Sequence, residues 1–132
     1  MERSQEAIVA YCRERGLEDP VPDEDGAYPL IVDDTIRLVL SAVDRRRVLC
    51  RSDLMPLGEG GERQSLLSRS LRAATALMAE HEAVLSYDRQ RDLLFLFERL
   101  DVEAGVQQSF DDKVDDFVTQ VERYGEVIKA LA

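Results

Sequence analysis

Few residues in this chain have types or spacings able to do chemistry. It has one histidine, His81, and two cysteines, Cys12 and Cys50. A cysteine–histidine nucleophile needs an ionisable thiol in a polar, partly exposed setting. Both cysteines fall instead on the apolar sides of their segments, where a thiolate is costly. They read as buried reduced thiols of a cytoplasmic protein rather than as a disulfide. There is no Cys-x-x-Cys pair, and one histidine cannot anchor a zinc site. Asp23-Glu24-Asp25 lies in a loop of turn-forming residues but lacks the regular ligand series and closing Glu of a calcium loop. Asp111, Asp112, Asp115 and Asp116 crowd the first turns of a predicted helix, where the helix dipole favours negative charge. The stretch from Gly58 to Gly61 lacks the Lys-Ser/Thr ending of a phosphate loop. No carboxylate pair stands on opposing strand ends. These absences point to a binding protein, not an enzyme, with no metal or cofactor.

The chain has 132 residues, 45% apolar and 33% charged, enough for one domain with a real core. Its net charge of -10 opposes binding to nucleic acid or to an anionic membrane. It suits a protein that must keep apolar partners soluble. No apolar run approaches the ~20 residues of a membrane span, and the first residues carry no signal-peptide core.

The periodicities predict an α+β domain over 1–132 in the order α-β-β-β-α-β-β-α. Residues 2–15 form an amphipathic helix with Ile8, Tyr11 and Cys12 on one side, stopped by Gly16. Strands follow at 27–32, 35–43 and 47–55, and Pro29 marks the first as an edge strand. Asp33-Asp34 as a two-residue turn sets Tyr28 opposite Val39. A three-residue turn at 44–46 sets Ser41 opposite Leu49, which places Val48, Cys50 and Leu54 on the core face with Ile36, Leu38 and Leu40. Tyr28, Leu30, Val32, Val39 and Leu49 then fall on the outer face among Arg37, Arg47, Arg51 and Asp53. Apolar patches with a polar rim mark binding surfaces.

A second helix over 62–79 carries a wide apolar stripe. Leu67, Leu71, Ala74 and Met78 form one side of it; Leu66, Ser70, Ala73 and Leu77 form the next. Its alanines permit close approach of a partner helix. A hairpin over 83–101 turns through a loop of about four residues at the polar break Asp88-Arg89-Gln90-Arg91, with Asp88 at the start of the turn. Its second strand is apolar on both faces, with Leu93, Phe95 and Phe97 on one and Leu94, Leu96 and Leu100 on the other. One layer of helices covers only one of those faces, so the other must meet more helix or another subunit. A last helix, approached from Gly105, runs to Leu131 with Phe110, Val114, Phe117, Val118, Val121, Tyr124 and Ile128 in line.

Three stretches resemble the class I chaperones of bacterial type III secretion, the Tir chaperone family. LIVDDTIRLVLSAVDRRRVLCRSDLMPLG is similar to the family's three-strand meander. LLSRSLRAATALM is similar to its central helix, and LSYDRQRDLLFLFERLD to its last hairpin. The resemblance implies a cytoplasmic homodimer joined through the central helix, with Leu67, Leu71, Ala74 and Met78 at the interface. It implies a client: the N-terminal segment of a secreted effector, held non-globular without ATP. Ile8, Tyr11, Tyr28, Leu30, Val32, Val39 and Leu49 are the expected client contacts. A regulatory relative that sequesters a transcriptional activator or anti-activator is the alternative, and a small α+β enzyme or ligand-binding domain a more distant one.

Overall fold

The computed structural model describes residues 3–18, 20–58, 61–79, 81–103 and 106–131. Helix α1 (Arg3–Glu14) is followed by strands β1 (Ala27–Val32), β2 (Ile36–Ala42) and β3 (Arg47–Pro56). Then come α2 (Gly61–Met78), β4 (Val84–Asp88), β5 (Leu93–Asp101) and α3 (Gln107–Leu131). The element order is the expected one. The expected helix approaches at Glu2 and Gly105, and the middle of the 58–61 connector, lie outside the described residues.

The strands form one antiparallel sheet in the order β1-β2-β3-β5-β4. All three helices lie on one face of it. Helix α3 crosses β2, β3 and β5, α1 packs between α3 and β2, and α2 packs on α3 and β4. The α3 stripe explains its central place: Phe110, Val114, Phe117, Val118, Val121, Tyr124 and Ile128 are all buried. They meet Leu38, Leu40, Val48, Cys50, Leu94, Leu96 and Leu100 from the strands. Each such side chain contributes roughly 1.5–3 kcal/mol by leaving water, so this one contact layer dominates the fold's stability. Helix α1 ends at Gly16, whose φ of 67° suits glycine, and Leu17 N–H closes on the Cys12 carbonyl at 2.9 Å.

The second hairpin matches its predicted register, and the last has a turn of the predicted length. Ser41 pairs with Leu49, and Asp88 pairs with Leu93 across the four-residue turn at 89–92. The Asp88 carboxylate accepts the N–H groups of Gln90 and Arg91, both at 3.1 Å, which is why this Asp opens the turn.

The first hairpin differs by one residue. Asp33 and Asp34 form the expected turn, closed by Thr35 N–H on the Val32 carbonyl at 3.3 Å. Thr35 then stays out of the ladder, and pairing begins at Val32 opposite Ile36. Tyr28 therefore faces Leu40, not Val39. A one-residue shift reverses every side chain of a strand. Tyr28 and Leu30 consequently turn inward and are buried, and Val32 packs at the core's edge. The gain from burying Tyr28 and Leu30 selects this register over the one with the shorter loop.

Asp33 and Asp34 hold φ of 53° and 63°, left-handed values that Asp tolerates and β-branched residues do not. Replacing Asp34 by Val is expected to cost about 1–2 kcal/mol in chemical denaturation, while Asp34→Gly is neutral or stabilising. Equal stability of the two variants would place the turn elsewhere.

Candidate functional site

Among the described residues, no helix packs on the sheet face away from α1, α2 and α3. Alternation along the strands places Pro29 and Ile31 of β1, Val39 of β2 and Leu49 of β3 on it, with Phe95 and Phe97 of β5 and Val84 of β4. Ile31 is 54% exposed and Val84 38%. Phe95 and Phe97 lie with ring centroids 5.8 Å apart. The Arg51 guanidinium sits 3.9 Å above the Phe95 ring. It also reaches Asp53 at 3.1 Å and Asp88 at 2.8 Å, while Arg91 reaches Asp53 at 2.9 Å. These pairs fix Arg51 as a lid over half of an aromatic patch, and the carboxyl of Asp88 is held below its usual range by it. Towards the β1 edge the face opens into a groove of about 780 Å³ lined by Pro29, Ile31, Arg37, Val39, Arg51 and Met55.

The expected client contacts divide. Val39 and Leu49 lie on this open face, half-buried. Tyr28 and Leu30 are in the core for the register reason above, and Val32 packs against its edge. Ile8 and Tyr11 of α1 are fully buried against α3. The Tyr11 hydroxyl donates to the Asp115 carboxylate at 2.9 Å, which Arg15 also grips. Burial and the Asp115 charge push the Tyr11 phenol far up, so it stays neutral. These residues join helices and offer no open contact surface.

The expected interface residues of α2 divide as well. Ala74 is buried inside the subunit, with Leu66 and Ser70. Leu67 and Met78 pack partly against the core, and Leu71 is 41% exposed. The inward face of α2 is therefore the Leu66–Ser70–Ala74 side, and the side bearing Leu71 looks outward. Pro29, Ile31, Val84, Phe95 and Phe97 were missed as site residues. Their signal was the doubly apolar pattern of β5, which announced an uncovered face without saying how far it extends.

Cys50 is buried beside Glu98, and burial pushes its thiol far up. Neither cysteine forms a disulfide. His81 Nε2 lies 3.0 Å from Arg123 Nη1, and because arginine has no acceptor, this imidazole nitrogen accepts. Among the described residues, no cluster of His, Cys, Asp and Glu has the geometry of a metal site. No described helix is long and apolar enough to cross a membrane.

One charge sits where the pattern calls for an apolar residue. Glu98 alternates with Leu96 and Leu100 on the helix-covered face of β5. Burial pushes its carboxyl up to about 7, the charges of Glu82 and Asp116 add to this, and Lys113 opposes it.

A five-stranded antiparallel sheet, covered by helices on one side and open and apolar on the other, places the chain among small α+β domains. The chain belongs to the Tir chaperone protein (CesT) family, whose model matches residues 6–124. Solved structures share the fold. A chain of the ExsC–ExsE complex is 17% identical with a TM-score of 0.71, covering 97% of both chains. A chain of the HopA1–SchA chaperone–effector complex is 19% identical with a TM-score of 0.65, covering 94% of both. A chain from the complex of the Yersinia pestis type III secretion chaperone SycH with a stable fragment of YscM2 is 12% identical with a TM-score of 0.59. That match covers 92% of this chain and 98% of the other. No curated protein matches the chain closely in sequence.

Glu98 makes the domain's stability depend on pH. Between the ordinary carboxylate value of 4.5 and about 7 the folded chain holds a proton that the unfolded chain has lost. Stability therefore falls as pH rises through that window. Glu98→Gln is expected to raise the unfolding free energy at about pH 8 by ~1–2 kcal/mol, discounted for partial exposure, and to leave it unchanged near pH 5. Parallel pH–stability curves for the two proteins would show that Glu98 is not the titrating group.

Proposed function

We propose that this chain is a cytoplasmic, ATP-independent chaperone that holds the N-terminal segment of a type III secreted effector, working as a homodimer and catalysing no reaction. The observation that carries this reading is the uncovered apolar sheet face that ends at a free strand edge. A folded globular partner needs a rigid matching surface. A non-globular segment needs apolar seats for its side chains and backbone groups to pair with, and this face and the outer edge of β1 supply both. Val39 and Leu49 are the client contacts of the open face, extended by Pro29 and Ile31 towards the edge. The acidic surface then keeps the loaded complex soluble.

The dimer is assigned to α2. Leu71 projects outward, with Leu67 and Met78 beside it at the margin of the core. A paired helix there would bury the exposed part of all three. The membership in the Tir chaperone family and the fold shared with chains of chaperone complexes support this reading.

Two variants separate the functions. Leu71→Asp is expected to move the equilibrium mass from near twice 15.0 kDa towards 15.0 kDa in sedimentation equilibrium. A soluble, unchanged dimer would move the interface away from α2. Val39→Asp combined with Leu49→Asp is expected to keep the dimer and weaken client binding at least ~10-fold, the effect of losing about 1.4 kcal/mol of apolar contact. The client is obtained by capture from the source bacterium under secretion-inducing conditions, followed by limited proteolysis. A large secreted protein protected only near its N-terminus is the expected result; a captured transcription regulator would replace effector carriage with sequestration.

A further inference from the structure

A second concavity lies on the helix side, away from the open sheet face. It has a volume of about 370 Å³ and is lined by His81, Glu82, Glu98, Lys113, Asp116 and Gln120. Three carboxylates thus share it with one lysine. Glu98 projects from β5, Glu82 from the segment before β4, and Asp116 and Gln120 from α3. Acidic residues together are common on a chain of net charge -10 and prove nothing alone. Gln120 supplies the independent observation. It is 94% buried, from a relative exposure of 6%, and its Oε1 has no hydrogen-bond partner among the described residues. An orphaned buried amide oxygen costs about 1–3 kcal/mol. Turning the amide about its last side-chain bond presents that oxygen to a donor seated in the pocket.

We propose that this pocket seats the cationic head of one lysine or arginine side chain of the bound client, with Glu98, Asp116 and the Gln120 amide oxygen as its acceptors. The site stands on the pocket itself; only its occupant rests on the client reading given above. A donor with several N–H groups and a positive charge is the chemistry that answers all three acceptors at once. The long-range field of an acidic chain draws basic segments towards it. The groups facing Glu98 are Glu82 and His81, Lys113 and Asp116 of α3, and Cys50 of β3. Because Glu98 loses its proton near 7, the seat is fully charged only in mildly alkaline solution.

The test titrates the ¹⁵N-labelled full chain with N-acetyl-lysine amide and N-acetyl-arginine amide, and with N-acetyl-leucine amide as the neutral control. Saturable shifts of the Glu82, Glu98, Asp116 and Gln120 amides by at least one cationic probe, and not by the control, are expected at about pH 8. Affinity is expected to fall up to roughly 10-fold at about pH 6, as the ionised fraction of Glu98 falls. Glu98→Gln and, separately, the exposed Asp116→Asn are each expected to weaken binding severalfold. The second variant lies on the helix surface and leaves the core untouched. Shifts that never saturate, or that saturate equally in both variants, would overturn the site. A captured client without probe saturation removes the pocket and leaves the chaperone reading standing. Probe saturation without any captured client supports the pocket and removes its proposed occupant.

Discussion

One imbalance organises this molecule: β5 is apolar on both faces, and the chain has helices enough for only one. Helix α3 takes the inner face, with α1 and α2 braced on either side of it. Phe95, Phe97 and their neighbours on β3 and β4 remain on the outer face, with no helix among the described residues packed over them. A domain of this size gains its stability from the inner layer alone. The outer face is then free to be selected for binding instead of for folding. Arg51 limits the cost of that freedom by lying over Phe95 while paired to two aspartates.

Much of the fold was legible because its signals were periodic. The α3 stripe repeats from Phe110 to Ile128, about five turns, and the Ser41–Leu49 register follows from keeping Val48 and Cys50 beside Leu38 and Leu40. The first hairpin was not legible, for a reason specific to three residues. Asp33-Asp34-Thr35 is compatible with a two-residue turn and with the same turn plus one unpaired residue. The local chemistry is identical in both, and the hydrogen bond from Thr35 to Val32 forms either way. What decides is the burial of Tyr28 and Leu30 under the helices, a tertiary quantity that alternation within β1 cannot reveal. The same slip that removed Tyr28 and Leu30 from the outer face put Pro29 and Ile31 there, so the open face kept its apolar character while changing its residues.

The helices were legible in extent but less so in rotation. The stripe of α2 is wide enough for two neighbouring sides to be read as the inward one. Small residues decided it: Ser70 and Ala74 allow α2 to lie close to α3 and β4, and the bulkier Leu71 turns outward. In α1, Ile8 and Tyr11 carry an unambiguous stripe, but a stripe reports only that a face is buried, not what buries it. Asp115, more than a hundred residues away, is the partner that commits Tyr11 to the interior.

The two surfaces of the domain differ in the kind of selectivity they give. The open sheet face, as proposed, binds by apolar area and by backbone pairing at the β1 edge, both tolerant of sequence. Tolerance suits a protein that must hold an unfolded segment, but it discriminates poorly between segments. The Glu98 pocket works the other way. As proposed, a half-buried carboxylate beside an orphaned amide rewards one cationic side chain at one place and penalises any residue that leaves those acceptors unpaired. If both proposed sites hold, an apolar face that takes many segments and a polar seat that requires one charge, on opposite sides of the same sheet, let a single small domain bind its client extensively and still fix the register in which it is held.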